Sequence, residues 1–170
     1  NEGNAVAAII ASGLAGASAN DAVKTLNHVH IRGRMEMINS NTHGTIYVDY
    51  AHNYASLKRL LAFLKRQTNA GKVTVVLGAT GDKGISRRPG FGKALTEEQP
   101  DEVILTTDDP GFEDPMTIAR EIDSYIDHDK VKHIQFEMDR ETAIKKAIDG
   151  SENDDIVVLA GKGEDPYQKV

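Results

Sequence analysis

Short apolar runs alternating with amphipathic segments predict an α/β fold: a doubly wound, mostly parallel sheet with helices on both faces. Three observations carry this. The runs VTVVL (73–77), EVILTT (102–107) and DIVVLA (155–160) are continuously apolar, as strands covered on both faces read. Segments of helical period separate them, and a strand–helix–strand order implies right-handed crossovers. The 170 residues are 39% hydrophobic and 27% charged, enough apolar side chain to bury a core in one domain with a fragment of a second.

Each element has its own signal. Residues 4–17 are Ala-rich, with Val6, Ile9, Ile10 and Leu14 at helical spacing. Asn20-Asp21 is expected to cap a second short helix through Val23 and Leu26. Residues 28–33 read as a joint, dividing a helical segment, 1–32, from a domain spanning 33–170. Residues 34–38 and 45–51 read as strands around the turn-forming Asn39–Gly44. Over 55–67, Leu57, Leu60, Leu61 and Leu64 form one stripe, with Lys58, Arg59, Lys65 and Arg66 outside it.

Regular alternation follows. Strand 73–77 leads through a Gly loop to a helix near 90–98. Strand 102–106 leads through an acidic loop to a helix over 115–127. Strand 132–136, a helix over 140–148 and strand 156–160 complete a Rossmann-like arrangement. The chain opens Asn1-Glu2-Gly3-Asn4 without Met and stops at Val170 just after a glycine-rich segment. It is expected to be a piece of a larger protein, truncated at its C-terminal end.

The net charge of −6 argues against a nucleic-acid wrapper, and the absence of cysteine excludes a disulfide framework, a thiolate zinc site and a catalytic thiol. No apolar run approaches the roughly 20 residues that span a bilayer, and no signal-peptide pattern opens the chain. A cytoplasmic protein without nucleic-acid or membrane partners is expected.

Ligands of open parallel sheets bind at the carboxyl ends of the strands. Four predicted strand ends carry charged or glycine-rich loops: Asp49-Tyr50-Ala51-His52, Gly78–Gly84, Thr107–Gly111 and Gly161–Asp165. The fifth carries Asp139, better read as a helix N-cap. Each loop has a plainer reading beside the functional one. Asp49 and His52 are candidate caps for the helix near Tyr54. The glycines at 78–84 suit either a turn or an anion held by backbone N–H groups. Asp108-Asp109-Pro110 is ordinary turn composition, but two adjacent carboxylates without a basic neighbour in sequence require a cation. Lys162, between two glycines, is either solvated or aimed at a carboxylate or phosphate. Arg87 and Arg88 have no assignment.

The Gly78–Gly84 loop also matches G-x-x-G-x-x-G, with Asp108 and Asp109 about 20–25 residues on. Tyr54 and Lys58 mimic the Tyr-x-x-x-Lys pair of short-chain reductases. An NAD(P)-dependent reductase is therefore the alternative reading. Against it, the loop follows the Tyr/Lys pair instead of preceding it, and Ser86-Arg87-Arg88-Pro89 interrupts the helix needed for the pyrophosphate.

Taken in order, five pieces resemble the C-terminal domain of the Mur ligases, the ATP-dependent amino-acid-adding enzymes of peptidoglycan synthesis. They are Gly33-Arg34-Met35-Glu36, Asp49-Tyr50-Ala51-His52, Gly78–Gly84 with Arg88-Pro89, Asp108-Asp109-Pro110 with Glu113-Asp114-Pro115, and Gly161-Lys162-Gly163 with Tyr167-Gln168. Residues 1–32 resemble the end of that family's central ATPase domain. The nearest likeness is to members that add the third peptide residue.

The resemblance implies a chemistry. ATP phosphorylates a carboxylate of UDP-N-acetylmuramoyl-L-alanyl-D-glutamate; the incoming amine attacks the acyl phosphate and expels phosphate as the amide forms. It also implies roles: Asn1 and Asn4 as adenine contacts, Asp49 as a ribose contact, Arg34 as a phosphate-side cation and His52 as a nucleotide neighbour. Lys83, Asp108, Asp109, Gly161 and Asp165 would line the amino-acid pocket. No G-x-x-x-x-G-K-[ST] run occurs here, and the family's central-domain Mg²⁺ ligands are missing too. ATP and Mg²⁺ would be held mainly by N-terminal and central domains outside this sequence, leaving the fragment inactive alone.

Departures from the family pattern bear on the amino acid. Members adding meso-diaminopimelate carry Asp-Asn-Pro-Arg, whose arginine grips the distal carboxylate with a fork. Here the stretch is Asp108-Asp109-Pro110-Gly111. An extra carboxylate and no arginine favour a terminal ammonium, so lysine is expected, with ornithine or meso-diaminopimelate as alternatives. Lys83 stands where the family usually has arginine, and Gly161-Lys-Gly-Glu-Asp lacks the usual histidine.

Overall fold

The structure, a computed structural model, describes residues 2–68 and 71–167, excluding the side chains of Glu2 and Lys83. The chain divides into two compact units, one ending at Ile31 and the other beginning at Arg32. The first holds two helices, α1 (Glu2–Leu14) and α2 (Ala19–Leu26). Ser18, not Asn20-Asp21, caps α2, because its hydroxyl lies one turn before the first unpaired amides and accepts from Asp21 N at 3.1 Å.

The second unit is built on β1 (Glu36–Ile38), β2 (Thr45–Asp49), β3 (Val73–Leu77), β4 (Glu102–Leu105), β5 (Ile134–Phe136) and β6 (Ile156–Ala160). Helices α3 (Tyr54–Leu64), α4 (Arg88–Glu98), α5 (Pro115–Asp123) and α6 (Arg140–Asp149) connect them. The six strands form one sheet in the order β1-β2-β6-β3-β4-β5, parallel except for β1. The chain runs from β2 to β5 in one direction, then returns through α6 to place β6 between β2 and β3.

Side-chain alternation splits the core between the two faces. Val73, Val75, Leu77, Val103, Leu105 and Val158 pack under α3, α4 and α5, where the whole predicted stripe Leu57, Leu60, Leu61 and Leu64 is buried. Burying each such side chain stabilises by about 1.5–3 kcal/mol. Val76, Ile104 and Val157 face α6 through Ala143 and Ala147. Among the described residues, one face thus carries α3, α4 and α5 and the other α6 alone.

Several expected boundaries shift. The first strand begins at Glu36, not residue 34, because Gly33 and Met35 take positive φ (66° and 51°) in the preceding turn. Strand 45–51 stops at Asp49, and strand 132–136 starts at Ile134. Helices expected over 55–67 and 115–127 end at Leu64 and Asp123. The helix after the Gly loop starts at Arg88, preceded by a 3₁₀ turn over Asp82–Arg87. Among the described residues, no helix is long and apolar enough to cross a membrane.

Candidate functional site

The strand registers place the candidate residues. Asp49, Ala160, Leu77, Leu105 and Phe136 lie level across β2, β6, β3, β4 and β5, so all five following loops leave from one rim. Because β1 is antiparallel and pairs Glu36 with Val48, Arg34 enters the sheet at that same rim. Two grooves, of about 610 and 460 Å³, lie at the opposite edge, lined by residues such as Lys72, Asp101, Glu102 and Ser151–Asp155. Polar groups there tie down backbone: Asp155 accepts from Lys72 N and Glu152 N, and Asp101 accepts from Val73 N.

At the centre of the rim, β6 ends in Gly161-Lys162. The buried Lys162 ammonium sits 2.8 Å from Asp109 Oδ1 and 3.4 Å from Asp108 Oδ1, and Asp108 is buried as well. This supplies the cation that the two adjacent acids require. Burial pushes the Lys162 ammonium down, but the Asp109 hydrogen bond and both aspartate charges outweigh it, leaving it above the ordinary lysine value. A second cation, Arg140, donates to the carbonyls of Thr107 and Ala160 at 3.3 Å each. Burial pulls its guanidinium down, opposed by the charges of Asp108 and Asp109. Gly161 turns the chain at a φ of +99°, and a Cβ there would lie in ordinary contact, 3.4 Å, with Asp108 Oδ2.

Beside this cluster, Tyr50 joins the β2 and β6 loops. Its hydroxyl donates to Asp165 Oδ1 at 3.0 Å, and the Arg34 guanidinium stacks on its ring at 4.8 Å. Burial and the Asp165 carboxylate raise the Tyr50 phenol above its ordinary value. Asp49 Oδ2 accepts from Met35 N at 2.8 Å, and its carbonyl accepts from Gly161 N. His52 Nδ1 lies 2.6 Å from the Tyr50 carbonyl, an acceptor only, so Nδ1 donates to it. Neither Asp49 nor His52 caps α3. Asn53 does, in a reciprocal capping box with Ser56. Asp139 caps α6 through Thr142 N.

The Gly78–Gly84 loop is a turn bonded partly to itself and partly to the Asp109–Glu113 segment. Three of its amides already have acceptors: Gly81 N donates to the Asp109 carbonyl, Gly84 N to the Gly81 carbonyl and Asp82 N to Glu113 Oε1. The anion held there is the chain's own glutamate. Because α4 starts only at Arg88, the loop glycines lead into a 3₁₀ turn and not into the α-helix N-terminus that a dinucleotide pyrophosphate requires. Tyr54 and Lys58 are both bonded to Glu97 of α4 and form no reductase pair at the rim.

The rim therefore brings together Arg34, Asp49, His52, Asp108, Asp109, Gly161 and Asp165. Lys83 lies in the 3₁₀ turn, its side chain outside the described atoms. Asn4 is exposed on α1 of the other unit, and Asn1, with Gln168, lies outside the described residues. Sequence reasoning missed Arg88, which is 1% exposed and bound to Glu113 and Glu121, and Arg140. Their signal was a charged residue beside the first turn of a helix next to an acidic loop, which surface helices share. Among the described residues, no three His, Asp or Glu side chains cluster as metal ligands.

Comparison with known proteins gives the arrangement its context. The chain is 99% identical over all its 170 residues to the UDP-N-acetylmuramyl-tripeptide synthetase of Limosilactobacillus reuteri, covering 33% of that protein. It is 47% identical over its whole length to the UDP-N-acetylmuramoyl-L-alanyl-D-glutamate–L-lysine ligase of Enterococcus faecalis, again covering 33%. Among solved structures, a UDP-N-acetylmuramoyl-L-alanyl-D-glutamate–2,6-diaminopimelate ligase superposes with a TM-score of 0.73 at 33% identity, over 96% of this chain and 33% of that one. The UDP-N-acetylmuramate–alanine ligase of Thermotoga maritima, 21% identical over 95% of this chain and 34% of its own, shares the fold with a TM-score of 0.67. The chain thus spans about a third of the length of the relatives it matches. Residues 33–163 match the family model described as Mur ligase, glutamate ligase domain, and the chain belongs to the Mur ligase family.

Proposed function

We propose that this chain is the amino-acid-receiving part of a cytoplasmic, ATP-dependent and ADP-forming ligase that adds L-lysine to UDP-N-acetylmuramoyl-L-alanyl-D-glutamate. The observation that carries the reading is the Asp108–Asp109 pair, already closed around a lysine ammonium at the rim. A carboxylate accepts up to about four hydrogen bonds, so the pair that holds Lys162 has the chemistry to receive a substrate ammonium too. The likeness to the Enterococcus lysine ligase supports the same choice.

Discrimination against a distal carboxylate then has two sources of unequal weight. Like charges about 4 Å apart repel by roughly 1–4 kcal/mol, depending on the local dielectric. Lys162 and Arg140 offset much of that here. The larger source is Gly111, which offers no forked cation to a distal carboxylate. Ornithine keeps the terminal ammonium on a shorter chain and ranks second.

In this reading Asp108, Asp109, Gly161 and Asp165 line the amino-acid pocket, with Lys83 on the α-carboxylate. Arg34, over the Tyr50 ring, faces the nucleotide phosphates, Asp49 accepts from ribose and His52 neighbours the nucleotide; the adenine contacts are assigned to Asn1 and Asn4. Residues 1–32 are the tail of a central ATPase domain, and 33–170 the C-terminal domain. The segments outside this chain hold the UDP-dipeptide, the ATP triphosphate and Mg²⁺, which supplies charge stabilisation during phosphoryl transfer. This domain's part is to orient the incoming amine toward the acyl phosphate, a positioning role.

The test is ADP release by the full-length protein with ATP, Mg²⁺, the UDP-dipeptide and each candidate amino acid. Lysine is expected to exceed meso-diaminopimelate in kcat/KM by about 100-fold, which corresponds to about 2.7 kcal/mol. Asp109→Asn with Gly111→Arg is expected to narrow that gap. Arginine at 111 inherits a φ of +62°, so a modest loss of stability accompanies the exchange. A preference for diaminopimelate in the natural protein, or an unchanged ratio in the variant, overturns the assignment. Saturable NADPH binding with no ADP release would restore the reductase reading.

A further inference from the structure

Two loops of the rim are fastened to each other, and the fastening runs through one buried arginine. The Gly81 amide donates to the Asp109 carbonyl at 2.8 Å, and the Asp82 amide donates to Glu113 Oε1 at 2.6 Å. A Cβ on Gly81 would lie 1.8 Å from the Pro110 carbonyl oxygen, so the two backbones touch at that point. Glu113, whose amide donates to the Pro110 carbonyl at 3.2 Å, is itself gripped by Arg88, whose Nη2 donates to both carboxylate oxygens at 2.8 Å. Arg88 Nη1 donates to Glu121 Oε2 on α5 at 2.5 Å. The arginine is 1% exposed, against 27% and 33% for the side chains of Glu113 and Glu121.

This geometry is more than an ion pair between two helices. The planar fork is shared between two acids: Nη2 meets both Glu113 oxygens and Nη1 meets Glu121, so the rigid guanidinium fixes the Glu113 carboxylate relative to α5. The same oxygen that meets the fork receives the Asp82 amide. The position of Asp82, and of Lys83 after it, is thereby tied to the loop that carries Asp108 and Asp109. We propose that Arg88 is a positioning residue that sets the register of the Gly78–Gly84 loop against the Asp108–Glu113 loop, and so fixes the separation between the groups that grip the two ends of the incoming amino acid. The proposal rests on the assignment of those loops to the amino-acid pocket. Arg88 touches no substrate: it acts through Glu113.

The consequence is a selective one. Disturbing the fork displaces the amino-acid subsite while leaving Arg34, Asp49 and His52, on the other side of β6, in place. In the full-length ligase, Arg88→Lys keeps the charge and loses the fork. Its KM for the amino acid is expected to rise about tenfold, with the KM for ATP within about twofold of the natural value. Glu113→Gln, which leaves Arg88 packed and weakens one side of the clamp, is expected to shift the amino-acid KM in the same direction by about threefold. Glu121→Gln removes an Arg88 partner that touches neither loop and is expected to leave it within about twofold. Hydrogen exchange provides a readout independent of the substrate: the peptide containing Gly81 and Asp82 exchanges faster in Arg88→Lys and Glu113→Gln and not in Glu121→Gln.

Equal rises in both KM values, or equal effects of Glu113→Gln and Glu121→Gln, would show that Arg88 only stabilises the fold and would overturn the proposal. So would unchanged exchange and kinetics in Arg88→Lys. If the natural enzyme uses an amino acid other than lysine, the KM comparison is made with that amino acid. Failure of the lysine reading is thereby separated from failure of the Arg88 assignment.

Discussion

Removing the Lys162 ammonium is the perturbation whose effect is most directly readable from the structure. In Lys162→Met the side chain keeps its approximate length, while Asp108 and Asp109 lose the group that lies 3.4 and 2.8 Å from them. The side chains of Lys162, Asp108 and Asp109 are 9%, 8% and 22% exposed. Deleting one partner of a buried ion pair typically costs about 3–5 kcal/mol, because the stranded charge remains desolvated. Partial hydration of Asp109 and the nearby Arg140 guanidinium place this site at the lower end, about 3 kcal/mol. With a urea m-value of about 1.5 kcal/mol/M, the unfolding midpoint falls by about 2 M.

Circular dichroism of the chain in urea measures that shift, and a cycle with Asp109→Asn isolates its cause. If the loss comes from taking the ammonium away from the two acids, neutralising Asp109 in the Lys162→Met background recovers part of it, giving a coupling energy above about 1 kcal/mol. A midpoint shift below about 0.5 M, or additive single effects, would refute the reasoning and return Lys162 to the class of solvated surface lysines.

Two further outcomes follow from the same geometry. Gly163→Ala is expected to destabilise by at least about 1 kcal/mol in thermal or urea unfolding, since Gly163 has φ +56° and a Cβ there would lie 2.2 Å from the Tyr50 ring; an unchanged midpoint would contradict it. The pH profile has a sign on each side. Hydrogen bonds from Lys58, Arg88, Thr117, Lys146 and Thr142 hold Glu97, Glu113, Asp114, Glu137 and Asp139, respectively, below their ordinary carboxylate values. Their stabilisation is present above the unfolded-chain values and is lost as pH falls through the lower folded ones. Lys162, raised, stabilises below the ordinary lysine value and ceases to do so as pH climbs through its folded one. The thermal midpoint should therefore fall steadily between about pH 5 and about pH 3; a flat profile there would contradict the assigned ion pairs.

Most of the fold was legible because burial on both faces leaves a continuous apolar mark. VTVVL and IVVLA became β3 and β6 without a shift, and the leucine stripe of α3 is wholly buried. Edges were less legible. Met35 reads as an apolar strand residue, yet a turn at positive φ takes it, and no local pattern announces that. The antiparallel direction of β1 is likewise set by its turn and pairing partner, not by its three residues.

For the candidate site, the rule that ligands meet strand C-termini found the rim, and the two adjacent aspartates announced a missing cation. Lys162 was legible only as solvated or aimed at a carboxylate or phosphate; that its partner is this pair was not, because it lies 53 residues from Asp109 and only the sheet order makes them neighbours. The Gly loop's internal bonding was not legible for a similar reason: the Asp82 amide is taken by Glu113, 31 residues on.

Hydrogen–deuterium exchange of the full-length protein, with and without ATP, the UDP-dipeptide and lysine, tests the central claim most directly. Substrates should slow exchange in peptides covering residues 49–53, 79–84, 107–113 and 161–165. Peptides at the opposite edge, covering 71–72, 101–102 and 151–155, should not change. Protection confined to that opposite edge, or absent from all four rim peptides when lysine is present, would contradict the account.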